Sequence, residues 1–262
     1  MKTAIVIPAR YGSTRFPGKP LVMIGGQSML SRVVAVARDD VLDGYDIDVM
    51  VSTEDERIAD HAAGIGVECV MTPESCATGS DRVLAAVKAS GRTYDFILNL
   101  QGDAPFTPPA LLKGLIDLAK ANPDAPVVTP VHALSWAELD GLRKKKQTTP
   151  FSGTTAIVSD GRALWFSKAI IPAIRKEDRG VEPSPVYQHI GLYGYRPDAL
   201  GRFCALPQSR YEILEGLEQL RLIENGIAVH VLETEVAPGS IQSGIDSPED
   251  VARAEEILKA RG

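Results

Sequence analysis

Cysteine is scarce in this chain: its 262 residues include three, Cys69, Cys76 and Cys204, and none stands in a CxxC spacing. An odd, scattered set of thiols excludes a disulfide framework and a cysteine-based zinc site, and reads as buried free thiols. Long hydrophobic runs are missing too. No window approaches the roughly 18 uninterrupted apolar residues of a membrane span, and the first apolar run, Ala4–Ile7, leads into Pro8 and Arg10 instead of a cleavage site. A cytoplasmic protein without membrane attachment is expected. Internal repeats, low-complexity tracts and long blocks of one charge are absent. The net charge of −6 argues against a broad nucleic-acid surface, so an anionic ligand must meet a local basic pocket. What is present, 44% apolar and 24% charged residues, is the composition of an ordinary globular protein, expected as one domain spanning 1–262.

Apolar runs alternate with helical patterns. Ala4–Ile7, Asp48–Val51, Val67–Met71, Phe96–Leu100 and Pro126–Val131 read as strands. Ser28–Arg38, Glu54–Ala63, Asp81–Ser90 and Pro109–Ala121 read as helices. This βαβ rhythm predicts a mainly parallel, helix-flanked α/β sheet. Thr53 with Glu56 has a capping-box spacing, and Thr107 precedes prolines suited to a first helical turn. Beyond Leu142 the rhythm weakens, and Arg143–Lys146 with the stretch to Thr155 reads as an exposed excursion. Thr155–Val158, Ala163–Ser167, His189–Tyr195 and Ala228–Leu232 read as strands, and Arg175–Tyr187 as a mobile loop. Tyr211–Asn225 reads as one helix, and Ser247 caps a final one.

The first βα connection carries most of the chemistry. After Pro8 come Ala9, Arg10, Gly12, Ser13, Arg15, Gly18 and Lys19. Ligands of doubly wound sheets bind at the carboxyl ends of strands, so topology brings this loop to the site. Its glycines allow close backbone approach, its amides suit phosphate oxygens, and Arg10, Arg15 and Lys19 supply positive charge. A triphosphate fits that description. Neither GxxxxGK[ST] nor GxGxxG occurs there, which removes support for P-loop kinases and dehydrogenases. At Asn99-Leu-Gln-Gly-Asp103 a second strand delivers a carboxylate to the same edge. An aspartate there suits Mg²⁺, which takes one or two carboxylates together with substrate phosphates. Asp246, ahead of the last helix, is the proposed second carboxylate, although its position alone suits a turn or cap.

Six blocks resemble the 3-deoxy-manno-octulosonate cytidylyltransferase family in order along the chain. They are Ile7–Leu21, Val51–Arg57, Asn99–Asp103, His189–Arg196, Leu217–Arg221 and Gly244–Asp250. The resemblance implies a nucleotide-diphospho-sugar transferase-like fold, with a mixed, mainly parallel sheet and a dimerisation excursion in the second half. It also implies a homodimer, CTP, Mg²⁺ and an acidic sugar destined for lipopolysaccharide. By the same resemblance Pro8, Ala9, Arg10, Ser13, Arg15, Lys19, Arg82 and Gln101 serve the nucleotide, and Asp103 and Asp246 the metal. Arg15, Lys19, Asp103 and Asp246 form the catalytic set. Lys168, His189, Tyr193, Glu218 and Gln219 face the sugar acid.

Departures from the family pattern cluster near the sugar. Cys76 stands where histidine is usual, Ala104 follows Gln-Gly-Asp in place of glutamate, Lys168 replaces arginine, and 146–155 lacks the usual approach to the next strand. Lysine keeps the charge of arginine without its planar bidentate grip on a carboxylate. Two further readings therefore accompany the first: a cytidylyltransferase for another acidic sugar, such as an amino-substituted octulosonate or a nonulosonate, and a catalytically silent nucleotide-sensing module. The absence of Asp-x-Asp at a strand end counts against a glycosyltransferase.

Overall fold

All six residues of β1 (Thr3–Pro8) are buried, the pattern of a strand covered on both faces in a parallel sheet. The computed structural model describes residues 1–12, 16–235, 244, 245 and 247–261. The chain divides into two compact units, Met1–Lys113 with Ile241–Gly262, and Gly114–Ser240.

In the first unit a short hairpin, β2 (Met23–Ile24) and β3 (Gln27–Ser28), leads into α1 (Met29–Ala37), whose N-cap Ser28 accepts from the amide of Ser31. Then come β4 (Ile47–Thr53), α2 (Glu56–Gly64), β5 (Glu68–Met71), α3 (Gly79–Ala89) and β6 (Phe96–Asn99). The strands pair in parallel in the order β6-β1-β4-β5, the doubly wound arrangement that the sequence rhythm predicts. The cap of α2 differs from expectation. Asp55, not Thr53, accepts from the amide of Arg57, while the Thr53 hydroxyl accepts from the amide of Asp55, because Glu56 is already the first helical residue.

The boundary between the units falls within α4 (Pro109–Ala121). The second unit contains β7 (Val127–Ala133), α5 (Trp136–Thr148), β8 (Thr155–Ser159), β9 (Arg162–Ser167), β10 (Tyr187–His189), β11 (Tyr193–Tyr195), α6 (Pro197–Ala205), α7 (Arg210–Glu215), α8 (Leu220–Glu224) and β12 (Val229–Glu233). Here β7 and β12 are parallel and the other pairs antiparallel. The circuit β7-β12-β9-β8-β10 closes back on β7, so this sheet is mixed. The last helix, α9 (Pro248–Arg261), belongs to the first unit. Its N-cap Ser247 exchanges hydrogen bonds with Asp250, and Ala254 packs with Ile24, Met29 and Ile245.

Three stretches of the second unit depart from the sequence reading. Arg143–Lys146 is no exposed excursion but part of α5, which a Ser135–Glu138 capping box opens. Trp136, Leu139 and Leu142 form its buried stripe, masked in the sequence by the lysines beside it. Lys146 Nζ turns inward and donates to the carbonyls of Gly153 at 3.1 Å and Lys168 at 2.6 Å. The single helix expected over Tyr211–Asn225 breaks at Gly216, which closes α7 in the left-handed region at φ 63°. The strand expected over His189–Tyr195 is interrupted at 190–192, where Leu192 N turns back to the Ile190 carbonyl. The segment 175–187 has no regular element until β10 and is anchored by Trp136 Nε1 donating to the Val181 carbonyl at 2.8 Å.

The α7–α8 pair rests on a buried ion pair. Arg221 Nε donates to Glu212 Oε2 at 2.8 Å, both side chains are 5% exposed, and the guanidinium lies 4.7 Å from the centre of the Phe203 ring. Burial alone would raise the Glu212 carboxyl, yet the Arg221 guanidinium and the Ser209 amide hold it below the usual range. Arg221→Met therefore strands a buried carboxylate and is expected to cost about 3–5 kcal/mol in denaturant unfolding, while adding Glu212→Leu recovers much of that loss. Two independent, additive losses would contradict this account.

Candidate functional site

Two strand ends of the first unit build a cavity of about 360 Å³, within the range typical of small-molecule sites. From the exit of β1 come Pro8, Ala9, Arg10, Gly12, Lys19 and Pro20. The exit of β6 supplies Gln101, Gly102 and Asp103, and the first turn of α3 supplies Gly79. The two exits approach so closely that a Cβ on Gly102 would lie 2.6 Å from the Pro8 carbonyl oxygen. Glycine is required there because the obstacle is backbone. A Cβ on Gly79 would lie 3.3 Å from Gln101 Oε1. The Gln101 amide is oriented by its donation to Asn99 Oδ1 at 2.9 Å.

Lys19 and Asp103 form an ion pair within the cavity. Lys19 Nζ stands 2.7 Å from Asp103 Oδ2, with the lysine 15% and the carboxylate 29% exposed. Arg10 is exposed, and its guanidinium reaches the Ala77 carbonyl at 3.4 Å. Asp103 is also tied to the segment preceding α9: the Ile245 amide donates to the Asp103 carbonyl at 2.9 Å, and a Cβ on Gly244 would lie 3.0 Å from Asp103 Oδ1. A hard carboxylate oxygen with a small residue beside it fits Mg²⁺ coordination. Among the described residues no group of three or more His, Cys, Asp or Glu could hold a metal.

Of the residues expected at the nucleotide, Pro8, Ala9, Arg10, Lys19 and Gln101 come together here, with Asp103, expected at the metal. Ser13, Arg15 and Asp246 lie outside the described residues. Arg82 does not line the cavity. It sits one helical turn beyond Gly79, fully buried, with Nη1 donating to Thr72 Oγ1 at 2.7 Å and making an ion-pair contact with Glu54 at 2.8 Å. Its place is behind the cavity wall because α3 turns its side chain toward the ends of β4 and β5. Gly18 also has a role other than approach to phosphate. Its φ is 71°, and a Cβ on it would press the Tyr11 ring at 3.3 Å. The sequence reading did not single out Gly79 as cavity lining; the glycine before a helix start was its available signal.

The residues expected at the sugar acid belong to the second unit. His189 Nε2 lies 3.0 Å from Thr129 Oγ1, its ring meets Phe166 edge-on at 5.0 Å, and Tyr193 follows at 5.3 Å. Burial, with the nearby Lys168 charge adding to it, pushes the imidazole down to about 3, so it is neutral at physiological pH. Burial pushes the Tyr193 phenol well above its ordinary value, with Tyr195 and the Glu218 carboxylate contributing. The half-buried Lys168 ammonium is lowered by desolvation against the opposing pull of Glu215, and donates to Thr154 Oγ1 at 3.2 Å. Glu218 reaches the Arg221 guanidinium at 3.9 Å, and Gln219 is buried at the start of α8. Thr129, which holds His189, escaped the sequence reading because it stands inside the apolar run of β7.

A parallel sheet with a cationic, glycine-bearing cavity at its strand exits defines a nucleotide-binding α/β protein. The chain belongs to the cytidylyltransferase family, whose model matches residues 4–234. It is 45% identical to a 3-deoxy-manno-octulosonate cytidylyltransferase of Maricaulis maris, covering 100% of this chain and 99% of that one. It is 41% identical to the protein of the same name from Syntrophotalea carbinolica, covering 99% of each. A solved structure of CMP:2-keto-3-deoxy-manno-octonic acid synthetase complexed with CTP superimposes with a TM-score of 0.84 at 32% identity, over 100% of both chains.

The depressed His189 makes a pH-dependent prediction. The unfolded chain binds a proton near the ordinary value of about 6.5 and the folded chain only near 3, so folding loses stability as pH falls below about 6.5, at up to about 1.4 kcal/mol per unit. His189→Asn lacks this term. Denaturant unfolding between pH 7 and 5 should show the wild-type advantage shrinking toward acid pH; parallel profiles would refute the assignment.

Proposed function

We propose that this chain transfers CMP from CTP to the anomeric hydroxyl of 3-deoxy-manno-octulosonate, releasing pyrophosphate, in the supply of activated sugar acid for lipopolysaccharide. The observation carrying the reading is the cavity in which Lys19 and Asp103 stand 2.7 Å apart at paired strand exits, in a chain of this family. The hydroxyl oxygen bonds to the α-phosphorus, the bond from that phosphorus to the bridging oxygen breaks, and pyrophosphate carries the electron pair away. The hydroxyl proton passes to solvent.

Both reactants are anions, so neutralising charge is the main demand on the protein. Arg10 and Lys19, with Arg15, supply positive charge to the phosphates, and Lys19 exchanges its carboxylate partner for the departing pyrophosphate. Asp103 and Asp246 are the residues that hold Mg²⁺, which supplies Lewis-acid neutralisation of phosphate oxygens when bound. His189 at about 3 is too weak a base to match neutral pH and acts as a neutral contact to the sugar acid, together with Tyr193, Lys168, Glu218 and Gln219. Arg82 supports the nucleotide from behind the wall. We further propose a cytoplasmic homodimer. Exposed Leu164, Ile213 and Leu214, on β9 and α7, support an apolar surface for association.

The test is pyrophosphate release measured with four nucleoside triphosphates crossed against a panel of 2-keto-3-deoxy sugar acids, including amino-substituted octulosonates and nonulosonates. CTP with 3-deoxy-manno-octulosonate should give the highest kcat/KM. A higher value with another acid would reassign the sugar, and no release with any pair would leave a nucleotide-sensing module. In the same assay Asp103→Asn should lower kcat by about 100-fold or more, and Lys19→Met should act chiefly on CTP use. Near-normal release by Asp103→Asn would overturn its role.

A further inference from the structure

The block Val51–Arg57 supplies none of the residues that line the cavity, yet it makes an ordered chain of contacts toward it. At the end of β4 the Thr53 hydroxyl accepts from the Asp55 amide at 3.2 Å. Asp55 then holds Arg57 by both oxygens: Oδ1 accepts from Nε at 2.9 Å and Oδ2 from Nη2 at 2.6 Å. The guanidinium carbon of Arg57, held in this fork, lies 3.3 Å from the centre of the Tyr11 ring, the separation of a flat stack. A Cβ on Gly18 would lie 3.3 Å from the same ring, and the Gly18 amide donates to the Tyr11 carbonyl at 2.9 Å. Tyr11 precedes Gly12 and Gly18 precedes Lys19, and both Gly12 and Lys19 line the cavity.

From this geometry we infer that Arg57 and Tyr11 are positioning residues for CTP: their stack, clamped by Asp55, sets the entry and exit of the phosphate-binding loop. The inference rests on the CTP reading above. The stack needs a planar cation and an aromatic face, so lysine does not replace arginine whereas phenylalanine replaces tyrosine. Arg57 is 59% exposed, which separates the loop's geometry from the stability of the core.

The experiment measures the Kd of CTP by calorimetry in the presence of Mg²⁺, and KM for CTP and for the sugar acid by pyrophosphate release. In Arg57→Met, Arg57→Lys and Tyr11→Leu the Kd and KM for CTP should rise about 3- to 30-fold, with KM for the sugar acid within about twofold of wild type. Tyr11→Phe should retain the wild-type Kd. The double variant Arg57→Met with Tyr11→Leu should be no worse than the poorer single variant, because each already abolishes the same stack. Wild-type affinity in Arg57→Lys would make the effect one of charge alone. Additive losses, or lowered melting temperatures with unchanged Kd, would reduce the contact to a surface packing detail; either result overturns the inference while the CTP reading stands. A wild-type protein that neither binds CTP nor releases pyrophosphate overturns both.

Discussion

The cavity of the first unit depends on how closely the exits of β1 and β6 can approach. Main chain meets main chain there: the Cα of Gly102 stands against the Pro8 carbonyl, and no side chain fits between them. A larger residue at 102 would separate the two loops, and with them Lys19 from Asp103. The burial of β1 and β6 fixes the strands that make this approach, since every residue of both is enclosed. Packing in the sheet thus becomes the spacing of opposite charges at its edge.

The strand exits and the surroundings of His189 treat polar groups in opposite ways. At the strand exits of the first unit Lys19 and Asp103 are partly solvated and compensate each other. Around His189 in the second unit desolvation governs the polar groups instead. His189 is neutral because desolvation opposes its protonation, and Tyr193 keeps its proton for the same reason. Neutral donors and acceptors held by a buried threonine and by aromatic edges suit hydroxyl recognition, because an unpaired buried polar group is costly and a mismatched hydroxyl leaves one.

Regular alternation made the first unit legible from sequence: each of its main strands and helices lies where periodicity placed it, and five residues expected at the nucleotide meet Asp103 in one cavity. Legibility failed where tertiary contacts override local pattern. Lys144 and Lys145 masked the apolar stripe of α5, and nothing local indicates that Lys146 turns its charge onto carbonyls as distant as that of Lys168. Gly216 was passed over inside an apolar helical pattern, although its left-handed φ ends α7 there. Arg82 is expected near the nucleotide through the family resemblance alone; its burial against Thr72 and Glu54 depends on three chain segments meeting.

The lysine at 168 shows how the second unit changes the meaning of a substitution. An exposed Arg-to-Lys exchange keeps charge and loses a planar fork. Here the ammonium is half-buried and steered by Thr154, while its own main chain is fixed twice: the Lys168 amide donates to Glu215 at 2.6 Å and its carbonyl accepts from Lys146 at 2.6 Å. Flexibility, the usual weakness of lysine, is thereby reduced at the backbone. The Thr154 carbonyl accepts in turn from the amide of His189, so one residue connects the lysine head to the imidazole's strand. A point charge beside a neutral ring can meet a carboxylate next to a hydroxyl without a bidentate grip, and under the proposed function this accommodates the departure from arginine.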